Sequence, residues 1–537
     1  MRYWTTEAGE LFPAHCLLLT ATHMLPVLSP DQSAAWDRQA ESAGIALATL
    51  METAGRAVAA VVAERYRTEV RQGVLIAVGP GNNGGDGWVL ARALHALDLP
   101  VWVAPTAGEG SPLRRQMADL ARIAGVREVA PDGPWPGAGL VVDALLGTGA
   151  SGAPRPALAS LLDRIHDAAV PVVAIDGPTG LDLATGAVHG AARADLSITF
   201  GGVRRGHLLA RDESGDIVVV DIGHPPALAE WPALVSDADA AAWLPPLHAA
   251  DHKGVHGRVV VVGGAPGMSG ALRLAARAAF AAGAGLVHAV APADTIAALV
   301  QAEPDLQTLT QPFDRPLGPA ARDLLQRADA VVLGPGLGRD AGRRELAGAI
   351  LGLAKSAVLD ADGLVAFQGA TGDLASLVRA RPSVLTPHPG EFRTLFPELA
   401  SQRELDPWGA AATAAERLDA ALLLKGVPTV VARAGRRPLT VAAGNPGLAT
   451  GGSGDVLSGL IGAALARGLE PDVAAALGAQ LLGRAADLAA RRVGARGLRP
   501  MDVIAALPDL WHEWSRLHST HAVRPPILLE LPRPIAV

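Results

Sequence analysis

Short, largely apolar runs recur along the chain, separated by loops rich in glycine, proline or aspartate and by helical stretches. Val74–Val78 ends in Gly79-Pro80, and further runs stand at Val101–Val103, Leu140–Ala144 and Val172–Ile175. A run that is apolar on both faces is what a strand covered by helices on both sides requires. Strands alternating with helices join by right-handed crossovers into a parallel sheet, and the loops after the strands collect at its carboxyl edge, where such folds bind ligands. From Pro30 to Arg65, ahead of the first strand, apolar residues recur at helical spacing, with Ser29 as N-cap and Asp31 in the first turn.

The pattern breaks between Gly223 and Leu247, where Pro225, Pro226, Pro232, Pro245 and Pro246 interrupt it. A second series begins at Val259–Val262 and runs through Leu286–Val290, Ala330–Leu333, Ala357–Leu359, Ser383–Leu385, Ala421–Leu424 and Thr429–Val431. At 537 residues the chain exceeds what one core sustains. The expected fold class is α/β in two domains, the first a Rossmann-like three-layer α/β/α unit over residues 24–235. The second α/β domain spans 236–510, with a poorly ordered leader at 1–23 and a peripheral tail at 511–537.

Half the residues are apolar and 18% are charged, which suits compact domains and argues against disorder. A formal charge of -7 gives no general reason to expect nucleic acid. Cys16 is the only cysteine, so an internal disulfide framework and a thiolate metal cluster are excluded and a cytoplasmic setting is expected. No stretch reaches the roughly 18 to 20 uncharged apolar residues that spanning a bilayer needs, and the N-terminus makes a poor signal peptide. Arginine dominates the basic residues; Lys253, Lys355 and Lys425 are the three lysines, and Lys253 and Lys425 stand beside glycines.

In the first half, Gly79-Pro80-Gly81-Asn82-Asn83-Gly84-Gly85-Asp86-Gly87 joins a strand to a helix. Its glycines let the backbone approach an anion and aim amides at it. The same composition also makes a tight structural turn. Asp143, before Gly147-Thr148-Gly149, and Asp176, before Gly177-Pro178-Thr179-Gly180, close two other strands. Together these loops can gather Asn83, Asp143, Asp176 and Thr179 around oxygen-ligand chemistry suited to a hard monovalent cation. Asp143 and Asp182 read equally as helix N-caps.

With Leu50-Met51-Glu52 and Ala54-Gly55, these motifs resemble the NAD(P)H-hydrate epimerase family over about Met24 to Gly223. The resemblance implies that Asn82, Asn83, Gly84, Gly85 and Asp86 contact the hydrated dinucleotide. It implies the same of Gly147, Thr148, Gly149, Ala150, Ser151, Gly152 and Ala153. Potassium would be held by Asn83, Asp143 and Thr179, and Asp176 would contact substrate as general acid/base. The family's Ile-Pro-Ser-Gly is here Gly177-Pro178-Thr179-Gly180, which keeps a hydroxyl, and Arg204 stands where a lysine is common. Related domains also serve as binding modules, and that reading stays open at this point.

In the second half, Asn445-Pro446-Gly447-Leu448-Ala449-Thr450-Gly451-Gly452-Ser453-Gly454-Asp455 precedes the helical run Val456–Ala466. A glycine turn ahead of a helix aims amides and the positive end of the dipole at a phosphate. Asp455 at the helix start can take a proton from a hydroxyl. Lys425-Gly426-Val427-Pro428-Thr429 supplies a cationic loop, and His388 sits in the rigid Thr386-Pro387-His388-Pro389-Gly390-Glu391. Gly334-Pro335-Gly336-Leu337-Gly338, Asp360-Ala361-Asp362 and Gly263-Gly264-Ala265-Pro266 are further strand-end loops.

In this order, and with His252-Lys253-Gly254, these motifs look like the ribokinase-like superfamily over about Asp251 to Asp502, most closely its ADP-dependent NAD(P)H-hydrate dehydratases. The resemblance implies that Ala271, Gly336, His388 and Asp455 contact the hydrated cofactor, with Asp455 catalytic. Lys425–Thr429 and Asn445–Gly454 would hold ADP, with magnesium on its phosphates. Gly363-Leu364-Val365 replaces the usual Ala-Leu-Asn and lacks that amide. The implied substrates are NADHX, NADPHX and ADP, with no nucleic acid or membrane partner and a homo-oligomeric assembly. A vitamin-precursor kinase, which shares the glycine turn and aspartate, is the alternative.

Overall fold

A computed structural model describes residues 24–108, 110–190, 193–517 and 526–535. The leader at 1–23, with Cys16, lies outside the described residues. The stretch read as one helical segment is two helices, Pro30–Ser42 and Leu47–Arg65, separated at Gly44, whose φ of +87° ends the first. Ser29 caps the first helix in a capping box with Gln32.

The first sheet has eight strands, in the order Ile527–Leu531, Asp216–Val220, Leu196–Phe200, Val172–Ile175, Leu140–Ala144, Val74–Val78, Val101–Pro105 and Arg127–Glu128. All pair in parallel except Ile527–Leu531. Chain order reverses between Val74–Val78 and Leu140–Ala144, and the crevice beyond these two strand ends is where such a sheet takes a ligand. Val74–Val78 and Leu140–Ala144 are buried throughout, which explains a sequence that is apolar except at Asp143.

The second sheet has ten strands, in the order Ala233–Leu234, Leu439–Val441, Thr429–Ala432, Ala421–Leu424, Ser383–Leu385, Ala357–Leu359, Ala330–Leu333, Arg258–Val262, Leu286–Ala291 and Gln307–Thr310. Thr429–Ala432 runs antiparallel to both neighbours. The reversal here falls between Arg258–Val262 and Ala330–Leu333, and Gly263 lies so close to Pro335 that an added Cβ would sit 2.0 Å from its carbonyl oxygen.

Two segments cross the expected boundary. Ala233–Leu234, placed by sequence at the end of the first domain, pairs with Leu439–Val441 in the second sheet. The segment set apart as a peripheral tail does not stand apart. Residues 511–517 complete the helix Pro500–Leu517, with Trp514 buried in the second core, and Ile527–Leu531 adds an edge strand to the first sheet. The composition of that tail carries no periodicity that separates an edge strand from coil. One apolar cluster spans both halves, joining Val27, Val203, Leu208, Ile217 and Val219 to Val260, Val331 and Leu424.

Candidate active sites

In the first half, the strand-to-helix turn brings Gly79 against Leu145, leaving 1.8 Å between an added Cβ and the Leu145 carbonyl oxygen. Only glycine allows this approach, and it sets the helix Asn82–His95 over the end of Leu140–Ala144. Asn83 is buried on that helix, and neither its Oδ1 nor its Nδ2 has a hydrogen-bond partner among the described residues. Asp143 is also buried and is not a helix cap. It accepts from Leu145 N at 3.1 Å, Thr179 N at 2.8 Å and Thr179 Oγ1 at 2.8 Å. Burial pushes its carboxyl up, opposed by these bonds from Thr179 and Leu145. Asp182 instead binds the amides of Ala184 and Thr185 in its own turn.

Asp176 lies in the left-handed region at φ +65°, a conformation costing about 1–3 kcal/mol in a non-glycine residue and concentrated at functional sites. Its carboxylate accepts from Thr148 N at 2.6 Å and from Thr148 Oγ1, and it pairs with Arg204 Nη2 at 3.3 Å. Burial raises its pKa, but Arg204, Thr148 and His207 outweigh burial and hold it below the usual carboxylate value. His207 is pushed down to about 4, by burial first, so it stands neutral. Arg204, where the resembled family has lysine, donates to Thr148 Oγ1 at 3.1 Å and to the Gly202 carbonyl at 2.9 Å. Its fork therefore fixes both Thr148 and Asp176.

These groups line a cavity of about 520 Å³ whose apolar wall is Leu47, Leu50, Met51, Ala54 and Leu113. Pro80–Asn83, Asp86, Gly147–Ala150, Asp176 and Arg204 form its polar wall. Gly84 and Gly85 lie beneath, packed on Gly79 and Met51, and Ser151, Gly152 and Ala153 turn outward to solvent. Sequence reading missed Asp37 and His224, which join at 2.9 Å on the same cavity wall. The His224 ring stacks on Trp36 at 4.3 Å, and only such tertiary packing reveals the pair.

In the second half, Gly452 at φ +97° turns the chain into the helix Ser453–Ala466, aiming that helix's N-terminus out of the sheet edge. Lys425 Nζ binds the buried Asp360 at 2.6 Å, and Thr386 Oγ1 donates to the same oxygen at 2.9 Å. An added Cβ on Gly454 would lie 3.2 Å from Lys425 Nζ, so the helix start and the lysine share one spot. Asp455 beside them is pushed up to about 7, by burial first and then by Asp360, with Lys425 opposing.

Gly336, at φ +62°, packs on Ala271, bringing two expected substrate contacts together. His388 caps the helix Pro389–Leu395, its Nδ1 accepting from Gly390 N and Glu391 N, so one ring nitrogen is committed to structure. Its Nε2 lies 3.3 Å from Glu391 Oε1. Asn445 Nδ2 donates to Asp487 Oδ1 at 3.0 Å, which anchors its loop to the helix Pro471–Val493. The loops carrying Asp360, Asp362 and Glu391 were legible, but their convergence was not. Gly338 N and Arg339 both bind Asp362. Lys355, away from this edge, pairs with Asp329. No cluster of three or more His, Cys, Asp or Glu side chains is placed to hold a metal among the described residues.

A helix N-terminus, a lysine and a buried aspartate at one sheet edge, with a polar cavity on another, define a two-site α/β enzyme. Residues 259–509 match the family described as NAD(P)H-hydrate dehydratase, and residues 47–206 match the YjeF-related protein N-terminus. The bifunctional NAD(P)H-hydrate repair enzyme Nnr of Escherichia coli K12 is 37% identical over 87% of this chain and 90% of its own length. Its counterpart from Moorella thermoacetica is 38% identical over 86% of this chain and 91% of its own. A crystal structure of the ADP/ATP-dependent NAD(P)H-hydrate dehydratase from Bacillus subtilis, co-crystallised with ATP/Mg2+, is 26% identical. It covers 52% of this chain and 97% of its own, at a TM-score of 0.46. The chain belongs to the family of bifunctional NAD(P)H-hydrate repair enzymes.

Proposed function

We propose that the first domain, built on the eight-stranded sheet, interconverts the R and S hydrates of NADH and NADPH. The second, built on the ten-stranded sheet, dehydrates the S form at the expense of ADP, releasing AMP and phosphate. The observation that carries this reading is Asp455 at the start of Ser453–Ala466, beside the Lys425–Asp360 pair.

The hydrate bears a hydroxyl on a saturated nicotinamide ring, and hydroxide leaves poorly. Phosphorylating that oxygen turns it into a phosphate, which the ring nitrogen can then expel. Asp455 takes the proton from the hydroxyl as it attacks. Amides of Gly451–Gly454 face the charge developing on the transferred phosphoryl. Lys425–Thr429 and Asn445–Gly454 cradle ADP, and Ala271, Gly336 and His388 seat the hydrated ring. Magnesium, carried on the ADP phosphates, would offset their charge.

In the first domain, Asp176 is the catalytic carboxylate, with Asn82, Asn83, Asp86 and Gly147–Ala150 holding the dinucleotide. Asn83, Asp143 and Thr179 would hold potassium, which would supply fixed positive charge to the cavity. The unpartnered amide of Asn83 supports this, because a buried polar side chain without a partner is costly unless a ligand completes it.

Supplying pure S-hydrate with and without ADP tests the second domain: absorbance of the reduced nicotinamide returns only with ADP. Silence with ADP, together with turnover of a vitamin precursor plus ATP, overturns the reading in favour of a small-molecule kinase. Pure R-hydrate tests the first: wild type consumes it and Asp176→Ala does not. Equal consumption removes Asp176 from its role.

A further inference from the structure

Inverting the hydroxyl-bearing carbon of the hydrate needs a proton given to the departing oxygen and another taken from the returning one. Asp176 stands ionised against Arg204 and Thr148, so it is ready to accept a proton and not to give one. The donor must come from another element of the same cavity.

Asp86 meets that requirement by position. It lies one turn after Asn83 on the helix Asn82–His95, hence on the same helix face, and lines the cavity together with Asp176, Thr148 and Arg204. No hydrogen bond or ion pair joins its carboxyl to any described residue, in contrast to every other buried aspartate of this sheet edge. From Leu47–Arg65 it meets the apolar wall of Leu50, Met51 and Ala54. Asp37 approaches from Pro30–Ser42, already held by His224, and Asp176 comes from the strand end. Arg114, on the adjoining helix Pro112–Ile123, turns its Nε away to the Gly79 carbonyl at 3.1 Å. Burial first, then the fields of Asp176 and Asp37, hold the Asp86 carboxyl well above the usual carboxylate range. Two carboxyls of one cavity driven in opposite directions divide the acid and base roles between them.

We propose that Asp86 is the general acid of the N-terminal cavity, working with Asp176 as base. The Asp86 proton passes to the hydroxyl oxygen. The C–O bond breaks with its pair on oxygen, water departs, and the ring nitrogen lone pair closes a C=N⁺ bond. Water then adds to the opposite face, the C=N⁺ pair returns to nitrogen, and Asp176 takes the surplus proton. Nothing is oxidised or reduced; Asp86 ends one proton short and Asp176 one proton rich, and exchange with solvent resets both. The reverse epimerisation runs the same steps backwards from the form in which Asp176 holds the proton and Asp86 has lost it.

This inference rests on the epimerase reading, and the test separates the two. Pure R-hydrate is supplied without ADP and both epimers are quantified over a range of pH. Wild type that leaves it unchanged sinks the epimerase reading and this one with it. In an active wild type, kcat/KM falls on the alkaline side as Asp86 loses its proton. Asp86→Asn, which stays neutral and near-isosteric, lowers kcat about 100-fold, leaves KM within about threefold and abolishes that alkaline limb. Asp86→Glu recovers part of kcat and regains the limb. A raised KM with intact kcat in Asp86→Asn, or a limb that persists there, overturns the proposal and leaves the epimerase reading standing. If both variants unfold, the wild-type profile decides, and a flat alkaline side overturns it.

Discussion

Asp455 answers to two opposed demands. Burial and the nearby Asp360 carry its pKa from the ordinary 3.8 to about 7. A base at that value is half ready at neutrality, so dehydratase kcat/KM should climb as pH rises through about 7, read from S-hydrate turnover at saturating ADP. The same shift weakens the fold. The unfolded chain releases this proton near pH 4 while the folded chain retains it, so stability falls as pH rises from about 4 and the loss is complete above about 7. Asp455→Asn should therefore lose turnover by about 100-fold or more. Yet it should gain roughly 2–4 °C in Tm at pH 8, with no gain below pH 4. Lys425 shows the converse. Its ammonium faces Asp360, which is 1% exposed, and Lys425→Met leaves that carboxylate buried and uncompensated. A loss of about 3–5 kcal/mol in denaturant unfolding and a raised KM for ADP are expected.

Strands and loops differ in how much of themselves they announce. Val74–Val78, Leu140–Ala144 and Val172–Ile175 were readable to the residue, because burial on both faces leaves short runs that are apolar but for Asp143. The glycine turns at Gly79 and Gly452 were readable as sharp turns into helices, which the close backbone approach at Gly79 and the positive φ of Gly452 require. Partnerships made across the fold were not. The Asp37–His224 pair joins residues 187 apart, and Lys425 meets Asp360 across 65 positions. No local period encodes such a meeting. His388 was legible as rigid, but not that its Nδ1 would cap its own helix. Helix packing carries its own unsignalled constraint. Gly459 on Ser453–Ala466 faces the carbonyl of Ala275 on Ser269–Ala281, at 2.1 Å from an added Cβ. Gly459→Ala must push these helices apart, costing about 1–3 kcal/mol in chemical denaturation and displacing Asp455 with them.

The two halves are tied in two places. Leu234 N, on the edge strand Ala233–Leu234 of the second sheet, donates to the Leu25 carbonyl at 2.8 Å, Arg205 stacks over Trp408 at 5.0 Å and pairs with Asp406, and a common apolar cluster runs beneath. The strand Ile527–Leu531 adds a tie from the other direction. Arg211 donates to the Pro532 carbonyl at 2.7 Å, Arg533 N binds Asp216, and Arg65 pairs with Glu530 at 2.9 Å. That strand covers Asp216–Val220, whose end leads to Ile222 and His224 in the cavity wall. Truncation after Leu517 should lower the unfolding midpoint of the first half and raise KM for R-hydrate. ADP-dependent turnover of pure S-hydrate should stay near wild type.

The contact between Arg533 and Asp216 closes a span of 317 residues. During synthesis Asp216–Val220 is made well before Ile527–Leu531, so the first sheet stays one strand short while the whole second half is added. For that interval Asp216–Val220 presents bare amides and carbonyls to any strand in reach, its own kind on a neighbouring polysome included. A nascent chain stalled or clipped before Ile527 would stay adhesive, which makes delivery of this strand a condition for a capped sheet edge.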